Sequence, residues 1–217
     1  MSRMGPRGPS AVTLVSDLSL NDLLWVVNTG HGPAGHWHAR VRGTQADHDH
    51  LADPVAARAY LADHGVPVPA GPPDPVSLAR LRLVREVVGR LLMPGADPWT
   101  PATRELLVAA RFRLDERGRI LAEGDGWPAF VASLVPGLLA LAGQRDRLGR
   151  CGNPGCRLTF LDDTRNKARR WCDPMGCGNR ARVGRARGRT PWPGSDAAAG
   201  TATGARSRGS PGVQPPR

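Results

Sequence analysis

The four cysteines of this 217-residue chain come as two pairs of one form, Cys151-x4-Cys156 and Cys172-x4-Cys177, with fifteen residues between the pairs. Two thiolates a few residues apart can hold one cation from a tight loop, and a second pair brought alongside closes a tetrahedron. Zn²⁺ suits four sulfur ligands because it has no ligand-field preference and no redox chemistry of its own. The x4 spacing lies at the long edge of the usual range. Gly152, Pro154, Gly155, Pro174, Gly176 and Gly178 supply the turns that such knuckles need. Two disulfides would require an oxidising compartment, and MSRMGPRGPS is not followed by the apolar core of a signal peptide. A redox pair is normally C-x2-C, and iron–sulfur clusters use other spacings. The expectation is one structural Zn²⁺ on Cys151, Cys156, Cys172 and Cys177. With four thiolates bound, the metal has no open position for catalysis.

The residues around the cysteines carry a resemblance. Cys151-x4-Cys156, then Phe160 and Asp162, then Arg169-Arg170-Trp171-Cys172, then Cys177-Gly178-Asn179-Arg180, is similar to the CGNR zinc finger. That finger closes a family of bacterial proteins inferred to be stress-induced transcriptional regulators. Near the other end, LNDLLWVVNTG resembles the start of the family's N-terminal domain of ABATE type, where a helix ends in Asn-Thr. The resemblance implies a zinc module behind a regulatory domain.

Net charge is +11, and Lys167 is the only lysine among the basic residues. Arginine-, alanine-, glycine- and proline-rich composition often reflects a GC-rich genome. Arginine also binds phosphate bidentately and reads guanine edges, so compositional bias does not exclude function. No run of eighteen apolar residues predicts a membrane span, and the expected compartment is the cytoplasm, where thiols stay reduced.

Taken in order, residues 1–10 read as a disordered leader. Leu20, Leu23, Leu24 and Val27 fall at helical spacing, with Ser19 or Asn21 as N-cap and Asn28-Thr29 at the closing turn. The loop 31–50 holds five of the six histidines, but its Gly and Pro residues leave the ligands without a rigid element, so solvated histidines are the simpler reading. Asp53-Pro54, Asp74-Pro75 and Thr100-Pro101 each open a helix. The second of these is the longest and is the central core helix. Its arginines are most simply solvated. VPVPAGPPDP is a stiff extended connection. RFRLDERGRILA alternates and turns as a β-hairpin. An apolar helix then runs from Trp127-Pro128 to about Leu148, kinked or split at Pro136-Gly137, and leads straight into Cys151. Residues 190–217 are low in complexity and read as a disordered tail. The fold class is therefore α+β: a mainly helical domain with a β-hairpin over 11–148, followed by a treble-clef-like four-cysteine finger over 149–189.

No G-x-S-x-G, P-loop or H-E-x-x-H occurs, so an enzyme is not expected. Between residues 157 and 189 ten basic residues face three acids, Asp162, Asp163 and Asp173. Four thiolates and Zn²⁺ carry a formal charge of about −2, which a few arginines such as Arg157 and Arg170 can offset. The surplus makes a surface suited to phosphate. A helix from Gly176 or Cys177 through Arg187 would carry Asn179, Arg180, Arg182, Arg185 and Arg187, with Val183 facing inward; Asn179 and Arg180 are the side-chain types that read adenine and guanine edges, and the other reading of Asn179 is a cap on the knuckle. Arg165, Lys167 and Arg169 form a second basic edge. Trp171 and Phe160 pack inside the small module. The expected function is a zinc-dependent DNA-binding transcriptional regulator, with a homodimer among its expected assemblies. The competing readings are an RNA-binding module and a protein-interaction module.

Overall fold

The computed structural model describes residues 18–30, 49–117, 119–153 and 156–186. The leader 1–10, the tail 190–217, Arg187 and most of the histidine-rich loop lie outside them. Of Arg185 only the backbone is described.

Each early helix begins where a short polar side chain can satisfy the orphan N–H groups of a first turn. Ser19 and Asp22 form a reciprocal capping box at α1 (Leu20–Val27). Asp53 accepts from the Ala56 N–H at α2 (Pro54–Asp63), and Asp74 accepts from Val76 and Ser77 at α3 (Pro75–Leu91). Thr100 does the same for Thr103 at α4 (Pro101–Ala109). Three of these caps are followed by proline, whose missing N–H and fixed φ do no harm at the first helical position.

The core lies between α3 and α5 (Gly126–Gly143), with α1 against both. Leu81, Val84, Val87 and Val88 of α3 meet Phe130, Leu134, Leu138 and Leu141 of α5, and Leu23, Val26 and Val27 close the cluster from α1. The antiparallel hairpin β1 (Phe112–Leu114) and β2 (Ile120–Ala122) pairs Phe112 with Ala122 and Leu114 with Ile120. The proline-rich connection is docked: Arg58 Nε donates to the Pro69 carbonyl at 3.1 Å and Trp127 Nε1 to that of Gly71 at 3.0 Å.

Three expectations are corrected here. Of the two outcomes expected at Pro136-Gly137, a kink or a split, the split does not occur: α5 runs on as one helix; Pro136 is buried, and Gly137 lets α1 close in, since a Cβ there would lie 3.3 Å from Leu23 Cδ2. This helix stops at Gly143 and does not reach the cysteines. A turn at Arg145–Arg147 and strand β3 (Leu148–Arg150) intervene. The α3 arginines are not all solvated. Arg82 Nε donates to the Leu51 carbonyl at 3.1 Å, and Arg85 forms a two-pronged ion pair with Asp49 at 2.5 and 2.9 Å. These bonds pin the 3-10 turn His50–Ala52 to the core helix. By length and apolarity α5 is a candidate to cross a membrane. Its place is nevertheless the protein's interior, with Trp127, Phe130, Leu134, Leu138 and Leu141 buried.

β3 pairs antiparallel with β4 (Thr159–Leu161), and Leu148 and Leu161 pack on the same core as α1 and α5. The joint to the helical body is a side chain. Asn28, at the end of α1, is buried; its Nδ2 donates to the Thr159 carbonyl at 3.1 Å, and its Oδ1 accepts from the Thr159 N–H at 2.8 Å. The amide thus bonds β4 as a neighbouring strand would. Tyr60 Oη donates to the Asn28 carbonyl at 3.3 Å and holds the turn from behind.

Replacing Asn28 by alanine strands two buried backbone groups of Thr159, so Asn28→Ala should cost about 2–4 kcal/mol. A denaturant titration of the zinc-loaded protein checks this. A change under about 0.5 kcal/mol would mean that the joint is held by Leu148 and Leu161 alone.

Candidate functional site

The β3–β4 hairpin presents the first cysteine pair. The Cys151 N–H donates to the Leu158 carbonyl at 2.8 Å, and the N–H groups of Cys156 and Arg157 both donate to the Asn153 carbonyl, at 2.8 and 3.0 Å. Arg157 takes a positive φ of 51° to close this knuckle. The second pair comes from a helix start. Asp173 caps a π-helical turn, Pro174–Gly178, that runs directly into α6 (Asn179–Ala186). Cys177 sits fully buried in that turn. A hairpin knuckle followed by a helix that carries a ligand in its first turn is the treble-clef-like arrangement expected.

The four Sγ atoms lie within 4.8 Å of one another, with 3.5 Å between Cys156 and Cys172 and 3.8 Å between Cys172 and Cys177. A tetrahedron with Zn–S bonds of about 2.3 Å has edges of about 3.8 Å, so the donor set fits the ion. All four are free thiols. Packed this closely, they cannot all ionise unaided. Hydrogen bonds from Cys156 and Cys172 bring the Cys151 thiol down to about 2, while the bond to Cys151 pushes Cys156 up to about 12 and Cys172 higher still. A dication reverses this conflict and lets all four act as thiolates. The cofactor is a structural zinc.

The small module has a core of Cys151, Cys156, Leu158 and Cys177, with Trp171 and Cys172 against it. Trp171 packs between two glycines. A Cβ on Gly152 would lie 3.2 Å from its ring, and one on Gly178 would lie 3.0 Å from Cδ1. Phe160 is likewise buried over Gly149, its cross-strand partner, where a Cβ would come within 2.8 Å. Both aromatic expectations hold.

The roles of two residues that hold the site escape a reading of the sequence. Asn153, buried inside the first knuckle, donates from Nδ2 to Cys177 Sγ at 3.6 Å and so ties one cysteine pair to the other. Asp162 anchors the loop between the pairs: Oδ1 accepts from the N–H and hydroxyl of Thr164 at 2.8 and 2.5 Å, and Oδ2 from the Arg169 N–H at 2.8 Å. Burial works against the Asp162 carboxylate, but the bonds from Thr164 and Arg169 outweigh it and leave its pKa below the usual value.

The basic residues separate into two sets. Arg169 is turned inward. Its guanidinium donates to the carbonyls of Trp171 and Cys172, contacts Asp163 at 3.3 Å and stacks on Phe160 at 5.1 Å. Lys167 pairs with Asp146. By contrast, Arg165, Asn179, Arg180 and Arg182 are exposed and carry no side-chain hydrogen bond or ion pair among the described residues. Asn179 is no cap. It sits inside the continuous helix at φ −67°, and Asp173 does the capping instead. Val183 does not face inward either: Ala181 is buried to 2% exposure, and Val183 is 40% exposed. The π-helical turn starts the helix two residues earlier than expected and shifts its inward face. Arg165, Arg169, Arg170, Trp171 and Pro174 border one shallow depression of about 640 Å³, so the basic loop and the helix start share a surface.

A family model described as CGNR zinc finger matches residues 147–190. A second, described as Putative stress-induced transcription regulator, matches residues 24–149, more than half of the chain. No curated protein is similar enough to register as a match.

Cys172→Ser should lose the metal and unfold the finger, while the helical core keeps its own cooperative transition. Elemental analysis beside circular dichroism checks this, and retention of one zinc per chain would overturn the four-thiolate assignment. Asp162→Ala should free the 163–170 loop and speed zinc loss to a chelator. Because the folded pKa of Asp162 is depressed, its support is present above the usual carboxylate pKa and is lost as pH falls through the folded value. Wild type and Asp162→Ala should therefore differ in chelator-release rate at neutral pH, well above the usual carboxylate pKa, where the thiolates still hold the metal.

Proposed function

Since the chain belongs to the family described as Putative stress-induced transcription regulator and carries a CGNR zinc finger, we propose that it is a DNA-binding regulator whose finger and following basic helix contact the duplex. The observation that carries this reading is the exposed, uncommitted set Asn179, Arg180 and Arg182, on a helix whose preceding turn holds Cys177. Zinc fixes where that helix starts, so its cations have a reproducible position against phosphate. Arg185 and Arg187 follow on the same segment, and Arg165 adds a contact from the loop. Lys167 joins this set readily, because an exposed ion pair is worth little and exchanges for a phosphate. Arg169 instead holds the loop in shape.

In this reading residues 149–189 are the contact module and residues 11–148 the regulatory body. The zinc is structural and no catalytic role is assigned. The compartment that suits both DNA and reduced thiols is the cytoplasm.

Fluorescence anisotropy on a duplex of about 20 base pairs over a series of KCl concentrations tests the proposal. Arg180→Ala, Arg182→Ala and Arg185→Ala should each flatten the slope of log affinity against log salt by about 0.9, the weight of one phosphate. A triple variant that keeps its zinc and binds as tightly as wild type at every salt concentration would sink it. Binding that is insensitive to salt would point to an apolar protein partner, and preference for single-stranded RNA over duplex DNA to the RNA reading.

A further inference from the structure

The outward face of the finger helix is not uniformly cationic. Met175 is 79% exposed and Val183 is 40% exposed, each far above the buried Cys177 and Ala181. Val183 lies one α-helical turn beyond Asn179, and Met175 lies one turn before it, within the slightly wider π turn. Met175, Asn179 and Val183 therefore form one stripe, which Ala186 extends. Arg180 and Arg182 flank it, displaced by about 100° and 60° to either side of Asn179 at 3.6 residues per turn. A helix built only to neutralise phosphate would gain nothing from apolar side chains along its centre line.

We propose that this face reads A·T base pairs in the major groove, with Asn179 on adenine and Val183 and Met175 against thymine methyl groups; the inference rests on the DNA-binding reading above. The groove offers one apolar group, the thymine 5-methyl, and one edge that an asparagine amide meets with two hydrogen bonds, adenine N6 and N7. The stripe presents both partners. From Met175 to Val183 the helix advances about 12 Å, the length of roughly three to four base pairs at about 3.4 Å each. The charge pattern matches as well: arginines on both sides of the stripe face the two phosphate backbones that border a major groove, and the stripe itself carries no charge to desolvate against the bases.

The test uses the zinc-loaded full chain and three labelled duplexes of equal length: an A·T-rich one, the same sequence with deoxyuridine for every thymidine, and a G·C-rich one. The A·T-rich duplex should bind at least about 5-fold more tightly than the G·C-rich one. Removing the methyl groups should weaken binding about 3-fold. Val183→Ser should shrink the difference between thymidine and deoxyuridine, and Val183→Ser combined with Met175→Ser should abolish it, with the salt slope unchanged. Asn179→Ala should reduce the preference for A·T to the part carried by the thymine methyl groups. Equal affinity of wild type for all three duplexes, with a steep salt slope, would overturn this inference and leave the DNA-binding reading standing. Absence of binding to any duplex would overturn both. A Val183→Ser variant that keeps the thymidine preference but dissociates a dimer in sedimentation would also overturn it, by showing that the stripe joins copies of the chain.

Discussion

Four thiols crowded within 4.8 Å are a liability until a cation joins them. Sulfur atoms this close repel as thiolates and compete as thiols. The apolar surface around them is slight, four buried residues with Trp171 and Cys172 alongside. Hydrophobic burial on that scale does not fold a module of about forty residues by itself. The metal converts the conflict into the strongest constraint in this part of the chain, and the rest of the finger is arranged to receive it. Glycines 152 and 178 admit the indole, Asn153 ties one pair to the other, and Asp162 fixes the loop that delivers Cys172.

The helical body is held differently. Its core is ordinary close packing of Leu and Val between α3 and α5, entered through capped helices. What is unusual is the use of arginine as a structural donor. Arg82 and Arg85 hold the His50–Ala52 turn. Arg145 donates to the carbonyls of Ala96, Arg90 and Met93, securing the end of α3 from the approach to the finger. A guanidinium can satisfy several carbonyls at once, and so it ties helix ends and turns to distant parts of the chain.

Much of this is legible from local chemistry. A polar cap followed by proline marks a helix start wherever it occurs, and the period-two run around Phe112 and Leu114 announces a hairpin. The cysteine spacing identifies the ligands because it depends on loop reach alone. What stays hidden depends on distant partners. Asn28 reads as a helix-ending residue, and nothing near it in sequence reveals that Thr159 completes its bonds. Leu148 falls seven residues after Leu141, at helical spacing with the apolar run that follows Trp127, but that spacing does not show that Leu148 belongs to a strand paired with Leu161. Val183 faces outward where simple counting turns it inward, because a π-helical turn at the start of the helix shifts the phase of every residue after it.

The buried amide of Asn28 has a consequence for how such proteins evolve. Zinc modules are often treated as interchangeable parts, joined to a body through a linker that any sequence can supply. Here the joint includes, beside the packing of Leu148 and Leu161, a pair of hydrogen bonds from one asparagine to the backbone of β4, and backbone is blind to side-chain identity. The finger can therefore diversify freely along α6 without disturbing its attachment. Moved onto a body that lacks an asparagine at the end of its first helix, it would leave the Thr159 backbone groups without these partners. The exposed face is free to drift while the docking stays fixed.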